Sequence, residues 1–341
     1  MTTSREIRLR SKPNGAPTLD NFELATAEVP APGPGEAQVR NLWMSLDPWQ
    51  IRAIREAVGP EAGPQASKYG SAVLGEVPHA GSVGEVTVSS DPGLKPGDLV
   101  ISLEGWREVF NAPAKELEKL EPKGLPAQAY LGPGGIPGLC AYAAVTKVLE
   151  LKPGQTIFIS GAAGAVGSIA CQIAKIIGAT VIGSAGGADK VAFLKSIGVD
   201  HAIDYKATPD LDAALAAAAP GGIDAFLDNV GGRHLAAALN AMKPLGRIVL
   251  VGLIGSMGTG VSEPVPADLM KVVRGRIRIE GFSSADHFAD FPKWRAQLAE
   301  WVADGRMVLK ETVDEGVESA PGALLKLISG GNTGKMLVKL A

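Results

Sequence analysis

A strand-like apolar run that ends in a glycine-rich turn and opens into a helix is the feature that most constrains this chain. The run covers residues 155–160, the turn covers residues 161–167, and apolar residues then recur at helical spacing up to residue 177. Such a turn lets backbone N–H groups approach a dinucleotide pyrophosphate, and the helix N-terminus favours the anion. With residues 179–183 as a second strand, the pattern predicts a strand–helix–strand unit of a doubly wound α/β domain.

The glycine pattern departs from G-x-G-x-x-G. Its three glycine positions fall on Ala162, Gly164 and Gly167, and an extra glycine, Gly161, stands just before them. A tight turn without any nucleotide is compatible with the same residues. The helix and the strand that follow favour the nucleotide-binding interpretation.

The end of the second strand indicates which dinucleotide is bound. Residues 184–187 are Ser-Ala-Gly-Gly, where an acidic residue would hydrogen-bond the adenine ribose of NAD. Small residues leave room for a 2′-phosphate, and Lys190 supplies a countercharge. The sequence therefore predicts NADPH. Two alternatives stay open, because Lys190 can be a solvated lysine at a helix start and Asp189 is compatible with NADH.

A chain of 341 residues predicts two domains, because single hydrophobic cores stop growing at about 250–300 residues. Short apolar runs separated by Pro and Gly predict a β-rich domain at residues 1–129, to which residues 309–341 return. Alternating strands and helices predict the doubly wound domain at residues 130–308. The glycine- and proline-rich residues 132–138 are predicted to be a hinge between them.

Charge and cysteine content narrow the class of protein. A formal net charge of −3 gives no basic field for nucleic acid. Cys140 and Cys171 are too few for a disulfide framework or a four-cysteine zinc lobe, so we interpret them as reduced packing residues. No run of about 18 apolar residues and no leader-like segment occurs. We therefore expect a soluble cytoplasmic protein with no membrane partner.

Six blocks along the chain carry a family likeness. They are residues 45–49 (Ser-Leu-Asp-Pro-Trp), 135–142, 161–168, 228–232 (Asp-Asn-Val-Gly-Gly), 278–282 and 331–335 (Gly-Asn-Thr-Gly-Lys). In this order they resemble the medium-chain dehydrogenase/reductase superfamily over essentially the whole chain. Within it the chain is similar to the zinc-free leukotriene B4 12-hydroxydehydrogenase / prostaglandin reductase group, with bacterial curcumin reductase and plant double-bond reductases. The resemblance implies a Rossmann domain joined to a β-rich GroES-like domain.

The resemblance implies an NADP(H)-dependent homodimeric enzyme that reduces the activated C=C bond of α,β-unsaturated ketones or aldehydes. It also implies which residues hold the cofactor. The pyrophosphate would lie along Ala163, Gly164, Ala165 and Val166, the 2′-phosphate at Lys190 and Tyr205, and the nicotinamide half beside Asn229, Val251, Gly252, Leu253, Ile254, Gly255, Ser256, Met257, Phe282, Ser283, Ser284 and Asn332. Tyr205 can instead be a surface strand residue, and Asn229 a turn former.

Catalytic zinc is disfavoured. Zinc alcohol dehydrogenases place a ligand in a Gly-His-Glu context, whereas residues 73–76 here are Val-Leu-Gly-Glu. The four histidines, His79, His201, His234 and His287, have no ligand-like spacing. Without a metal, hydride transfer to the β-carbon needs a conjugated carbonyl whose oxygen accepts the negative charge.

Three side chains are candidates for the substrate pocket or for polarising that oxygen. Trp49 would form an apolar wall, although a core tryptophan is the more frequent interpretation. The hydrogen bond to the oxygen would come from the nicotinamide ribose hydroxyl or from Tyr142 or Arg52. The family's Asp-Pro-Tyr-Met-Arg is Asp-Pro-Trp-Gln-Ile here, and Arg274 stands where some members carry tyrosine. Two other functions therefore stay open: an NADPH:quinone reductase of the zeta-crystallin type and a non-catalytic nucleotide-binding protein.

Overall fold

The computed structural model of the protein describes residues 1–56, 70–252, 254–257 and 268–341. Within them the chain divides into two compact units. Unit 1 contains Met1–Leu131 and Glu311–Ala341, and unit 2 contains Gly132–Met257 and the later described residues up to Lys310. No helix among the described residues has the length and apolar surface that crossing a bilayer requires.

The described part of the chain alternates strands and helices after a β-rich beginning. The strands are β1 (Thr2–Leu9), β2 (Phe22–Val29), β3 (Glu36–Ser45), β4 (Ser82–Ser89), β5 (Leu99–Ser102), β6 (Val109–Pro113), β7 (Glu118–Leu120), β8 (Thr156–Ile159), β9 (Thr180–Ala185), β10 (His201–Asp204), β11 (Ile223–Asp228), β12 (Met242–Leu250), β13 (Arg278–Gly281), β14 (Glu311–Glu315) and β15 (Lys335–Lys339). The helices are α1 (Trp49–Arg55), α2 (Ile136–Ala143), α3 (Ala165–Ile177), α4 (Ala188–Ser196), α5 (Leu211–Ala218), α6 (Gly232–Ala241), α7 (Ile254–Met257), α8 (Met270–Gly275), α9 (Phe291–Ala303) and α10 (Ala320–Ile328).

Unit 2 is built on a parallel sheet with the strand order β10-β9-β8-β11-β12-β13. The chain moves outwards from β8 to β10 and then returns to continue on the other side at β11. The direction of winding reverses between β8 and β11, and open sheets of this kind bind ligands outside the carboxyl ends of the strands at that point. The predicted doubly wound domain is confirmed, and its topology locates the crevice.

Helix α3 follows the glycine turn and packs on the sheet through its apolar positions. Ile169 and Ile173, four residues apart, are buried on one side of it. Gly178 ends the helix with φ of +92°, a left-handed conformation that glycine adopts without a Cβ penalty. The other face of the sheet is closed by a core in which Phe158 and Phe226 stack with ring centroids 5.0 Å apart. Both faces are therefore covered, as a parallel sheet requires.

Unit 1 holds a seven-stranded sheet with the order β14-β15-β3-β4-β5-β7, in which β6 also pairs with β3, and a separate β1–β2 hairpin. Strand β15 runs antiparallel to β3, with Leu337 opposite Ser45. Residues near the C-terminus therefore share one sheet with residues 36–45. This pairing places the start of α1 beside the start of β15.

Two elements differ from the sequence interpretation. Residues 132–138 were predicted to be a hinge, but the last three belong to α2, where a Cβ on Gly138 would lie 1.7 Å from the carbonyl oxygen of Pro133. That end of the segment is close-packed rather than a hinge. Helix α9 was not predicted, because its buried positions, Trp294, Leu298 and Trp301, stand among charged and small residues.

Candidate active site

The glycine turn between β8 and α3 is shaped by contacts between backbone atoms. Gly161 has φ of +57°, and the N–H of Gly164 donates to the carbonyl oxygen of Gly161 over 3.0 Å. A Cβ on Gly167 would lie 2.4 Å from that oxygen and 2.7 Å from the Cα of Ala162. The third glycine of the pattern is therefore required for close approach of helix and strand.

The first turn of α3 presents backbone donors for an anion. The N–H groups of Ala165, Val166 and Gly167 lie at the first three helical positions, which have no partner inside a helix, and no side chain caps them. Gly164, Ala165 and Val166 are only half-buried, whereas Ala163 is buried. Together with the positive end of the helix dipole, this arrangement suits a pyrophosphate.

Ser160, Asp228 and Asn229 join the carboxyl ends of β8 and β11. Ser160 Oγ donates to Asp228 Oδ1 over 2.7 Å, and the backbone N–H and Nδ2 of Asn229 donate to Oγ and to the carbonyl oxygen of Ser160, each over 2.8 Å. Oδ1 of Asp228 also accepts the N–H groups of Val230 and Gly231, each over 2.9 Å. Asn229 is therefore held in a defined orientation at the reversal point of the sheet.

The Asp228 carboxyl is buried in this network. Burial raises the pKa of Asp228, and the hydrogen bonds from Gly231, Ser160 and Val230 oppose that rise. Its second oxygen, Oδ2, has no hydrogen-bond partner within the described residues. The carboxyl thus acts through Oδ1 as an acceptor that shapes the loop after β11.

Residues 251–255 run along this loop. The N–H of Val251 donates to the carbonyl oxygen of Asp228 over 2.9 Å, and the N–H of Ile254 donates to that of Asn229 over 3.1 Å. Gly255 lies so close that a Cβ there would be 2.9 Å from the carbonyl oxygen of Val230. Gly252 lies in the same half-buried loop, the backbone of Ser256 and Met257 continues it in α7, and Leu253 lies outside the described residues.

The loop after β13 is tied to the neighbouring strand. The N–H of Phe282 donates to the carbonyl oxygen of Leu250 over 3.1 Å, and its ring stacks on that of His287 with centroids 5.3 Å apart. Ser283 and Ser284 begin the 3-10 turn that follows. The residues predicted for the nicotinamide half in unit 2 therefore lie in the loops after β11, β12 and β13, at one edge of the sheet.

On the other side of the point between β8 and β11 where the winding reverses, hydrogen bonds connect the loops after β9 and β10. Asp204 Oδ1 accepts the N–H of Gly187 over 2.9 Å and the N–H of Lys206 over 3.0 Å. A Cβ on Gly186 would lie 2.8 Å from Cε of Lys206 and 2.9 Å from the hydroxyl oxygen of Tyr205. The absence of a Cβ at Gly186 thus leaves room for these side chains to cross the β9 loop.

Positively charged side chains lie at the loops after β9 and β10. Lys190, in the first turn of α4, is half-buried, and its pKa is lowered first by burial and then by the positive charge of Lys206. Tyr205 is half-buried, and Arg233 Nη2 donates to its carbonyl oxygen over 2.8 Å. Lys190 and Tyr205, the two residues predicted for the 2′-phosphate, are therefore both neighbours of Lys206, the first through charge and the second along the chain.

His234, at the start of α6, is a buried neutral base beneath Tyr205. It is 2% exposed, and neither ring nitrogen has a hydrogen-bond partner within the described residues. Its ring lies edge-on to Tyr205, with centroids 5.2 Å apart, and against Phe158 at 6.5 Å. Burial, and secondarily the charge of Arg233, lowers the pKa of His234 from 6.5 to about 4.

Acidification is expected to destabilise the protein through His234. Because the pKa of His234 is about 4 in the folded state and the ordinary histidine pKa of 6.5 applies to the unfolded chain, this contribution to stability is complete above the unfolded-state pKa and is lost as the pH falls towards the folded-state value. Between pH 7.5 and pH 5, the wild-type protein should lose about 2 kcal/mol more unfolding free energy than His234→Leu. Urea unfolding of both proteins at the two pH values measures the difference, and equal losses would contradict the assignment.

The remaining predicted site residues lie in different parts of the chain. Trp49, the first residue of α1, is 37% exposed, so it is not a core tryptophan. Arg52, one turn later, is exposed. Asn332 is buried, with Nδ2 donating to the carbonyl oxygen of Gly334 over 2.8 Å. These three lie in unit 1, whereas Tyr142 is buried in α2 of unit 2 and stacks on Trp294 with centroids 5.3 Å apart.

A buried ion pair in unit 1 connects the segments that carry Trp49 and Asn332. Lys335 is 2% exposed, and its Nζ donates to Asp47 Oδ1 over 2.8 Å and to the carbonyl oxygen of Leu46 over 2.6 Å. Asp47 also accepts a short hydrogen bond from Ser45 Oγ. The first and last of the six sequence blocks therefore meet through this pair.

Several residues of the candidate site were not predicted from the sequence. They are Lys206, Arg233, Asp228 and Lys335. Asp228 and Lys335 belong to quoted sequence blocks, and Lys206 follows a predicted site residue, so position within a motif could have drawn attention to them. Arg233 carried no such signal, since only the fold brings α6 to the β10 loop.

Two family models match the chain. Residues 5–120 match the N-terminal domain of oxidoreductase, and residues 165–303 match a model described as zinc-binding dehydrogenase. The described residues do not offer a zinc site: no group of three or more His, Cys, Asp and Glu side chains among them could hold a metal ion. Cys140 and Cys171 are buried and neither forms a disulfide, and burial raises the pKa of the Cys171 thiol, which disfavours the thiolate form that binds zinc.

Curated relatives match over nearly their whole length. The 2-alkenal reductase (NADP(+)-dependent) of Nicotiana tabacum is 37% identical over 99% of this chain and 98% of its own. Prostaglandin reductase 1 of Rattus norvegicus is 35% identical over 99% of this chain and 100% of its own. The crystal structure of CurA from Vibrio vulnificus in complex with NADPH superposes with a TM-score of 0.88 at 32% identity, covering 99% of both chains.

Proposed function

Because this chain belongs to the medium-chain dehydrogenase/reductase family, alongside the 2-alkenal and prostaglandin reductases, we propose that it is an NADPH-dependent reductase of activated C=C bonds. Its substrates are α,β-unsaturated ketones or aldehydes. The observation that carries this assignment is the match to a 2-alkenal reductase over 99% of this chain and 98% of the relative. A match of this extent includes both the nucleotide-binding unit and the residues of unit 1.

The nucleotide-binding residues of unit 2 fit NADPH. The half-buried first turn of α3, with its unpaired N–H groups, would hold the pyrophosphate along Ala163, Gly164, Ala165 and Val166. Lys190 and Tyr205 would bind the 2′-phosphate. The nicotinamide half would be positioned by Asn229, by the described residues of the segment 251–257, and by Phe282, Ser283 and Ser284.

When bound, NADPH supplies the hydride that adds to the β-carbon of the substrate. The task of the chain is to orient the alkene, to exclude water and to place a donor at the carbonyl oxygen, where negative charge develops. Arg52 is exposed and always protonated, so it can donate to that oxygen. Tyr142 is the second candidate donor, but it is buried against Trp294. Trp49, partly exposed at the start of α1, would supply an apolar wall.

The proposal is tested by steady-state turnover. A simple enone, an enal and a quinone are compared at equal concentration, with NADPH oxidation followed by absorbance. We expect kcat/KM to be higher for the enone and the enal than for the quinone. A faster quinone would identify a quinone reductase instead, and tight NADPH binding without turnover of any substrate would indicate a non-catalytic protein.

Lys190→Ala is expected to weaken NADPH selectively. Loss of one charge-assisted hydrogen bond to the 2′-phosphate costs about 1.5–3 kcal/mol, so the KM for NADPH should rise about 10- to 150-fold while that for NADH changes little. Lys195→Ala, which removes an exposed lysine from the last turn of the same helix, is the matched control. If both cofactors are affected equally, Lys190 does not contact the 2′-phosphate.

We further propose that the protein is a cytoplasmic homodimer. Strand β13 is the last in its sheet order, and within the described residues it pairs only with β12. Val273 of α8 and Leu245 of β12 are 66% and 68% exposed, which favours an interface at this side of the sheet. Light scattering should give the mass of two chains, and Ile279→Lys on β13 should lower it; a wild-type monomer would contradict the proposal.

The cytoplasmic location is supported by the cysteines. Neither of them forms a disulfide, which suits a reducing compartment.

A further inference from the structure

Lys206 and Arg233 both lie beside Tyr205, and the charge of Lys206 acts on Lys190 in α4. We propose that Lys206 and Arg233 are further specificity-determining residues, which bind the 2′-phosphate of NADPH together with Lys190. This inference rests on the proposed function only for the identity of the nucleotide. It assigns cofactor preference to a cluster of charges rather than to one lysine.

The geometry of the two loops supports the role of Lys206. Its backbone N–H is held by Asp204 Oδ1 over 3.0 Å, and the same oxygen holds Gly187 at the start of α4. A Cβ on Gly186 would lie 2.8 Å from Cε of Lys206 and 2.9 Å from the Tyr205 hydroxyl oxygen. The lysine stem and the tyrosine ring therefore reach back over the end of β9, where an acidic residue would bind the ribose of NAD.

The guanidinium group of Arg233 is fixed by a hydrogen bond at one nitrogen, which leaves its other N–H groups for a ligand. Its Nη2 donates to the carbonyl oxygen of Tyr205 over 2.8 Å, and its guanidinium carbon lies 5.4 Å from the centre of the Tyr205 ring. The side chain is exposed. A guanidinium has five N–H donors, so the remaining groups can form the paired hydrogen bonds that phosphate oxygens accept.

The charge balance of the cluster points to an anion. The carboxylate of Asp204 lies near Lys206, and the lysine charge adds to the backbone hydrogen bonds that lower the Asp204 pKa, so one negative charge offsets part of the cluster. The nearby Asp204 uses Oδ1 as an acceptor for backbone N–H groups, including that of Ala207. Like charges brought together in this way repel one another, which lowers the pKa of Lys190 after the effect of burial. A phosphate dianion would relieve this repulsion.

The test measures binding of fragments that lack nicotinamide, so it does not depend on turnover. Isothermal titration of the full-length protein compares 2′,5′-ADP with 5′-AMP for wild type, Lys206→Ala, Arg233→Ala and Arg233→Lys. We expect each alanine variant to weaken 2′,5′-ADP about tenfold, as for one charge-assisted hydrogen bond, with 5′-AMP changed less than about twofold. Arg233→Lys should recover only part of the loss, because an ammonium keeps the charge without the planar fork.

Lys195→Ala serves as the control for a general loss of positive charge, and it should leave both dissociation constants unchanged. The inference is overturned if the alanine variants bind 2′,5′-ADP as wild type does, or if both nucleotides weaken equally. Circular dichroism of each variant shows whether it is folded, and Arg233→Lys and Lys206→Gln replace any variant that is not. Failure of the proposed function would instead show as absence of enone turnover with the 2′,5′-ADP selectivity intact.

Discussion

Gly167→Val is expected to abolish NADPH binding under ordinary assay conditions. The added Cβ would meet two backbone atoms, the carbonyl oxygen of Gly161 at 2.4 Å and the Cα of Ala162 at 2.7 Å. Backbone cannot rotate away as a side chain can, so α3 must move from the turn and its first N–H groups move with it. We expect the Kd for NADPH to rise at least 100-fold, which is about 2.7 kcal/mol, and the unfolding free energy to fall by about 1–3 kcal/mol.

Fluorescence titration with NADPH and urea unfolding measure these two effects. Gly322→Ala is the matched control, because Gly322 lies within α10 and a Cβ there meets nothing within 4 Å. Alanine in that open helical position should be neutral or stabilise by up to about 1 kcal/mol. Normal NADPH affinity in Gly167→Val would show that the nucleotide is held elsewhere.

Lys335→Met is expected to destabilise the protein strongly, by about 2–3 kcal/mol. The substitution leaves Asp47 without the ammonium to which it is paired over 2.8 Å, and it also removes the donor to the carbonyl oxygen of Leu46. A half-buried carboxylate without its cation and an unsatisfied carbonyl both cost free energy. Lys339→Met, on the same strand but exposed, should change stability by less than about 0.5 kcal/mol.

A substitution of Asp47, the ion-pair partner of Lys335, distinguishes the loss of the ion pair from general damage to the core. Asp47→Asn alone should also destabilise, since it leaves the ammonium of Lys335 buried without its countercharge. The double variant should lose less stability than the sum of the two single losses, by an interaction of about 1–3 kcal/mol. Strictly additive losses in urea unfolding would show that the two residues act independently.

Much of the organisation could be predicted from local patterns. Short apolar strands, a glycine turn and helix ends such as Gly178 depend on neighbouring residues, so their positions were visible in the sequence. The doubly wound domain is confirmed by the sheet order. The family predicted from the six blocks is confirmed by the comparisons, and the predicted NADP-dependent reduction of C=C bonds agrees with the names of the relatives. The roles of individual site residues, from Trp49 to Asn332, stay predictions.

The sequence by itself determined the strand–helix–strand unit around the glycine turn and the family to which the chain belongs, because these depend on short-range pattern. Only the tertiary structure decided which distant side chains meet. Lys335 and Asp47, 288 positions apart, form one ion pair because β15 pairs with β3, and Arg233 reaches Tyr205 because α6 packs beside the β10 loop. Sheet register and helix packing determine such contacts through the summed burial of many residues, and no local stretch of sequence records that sum.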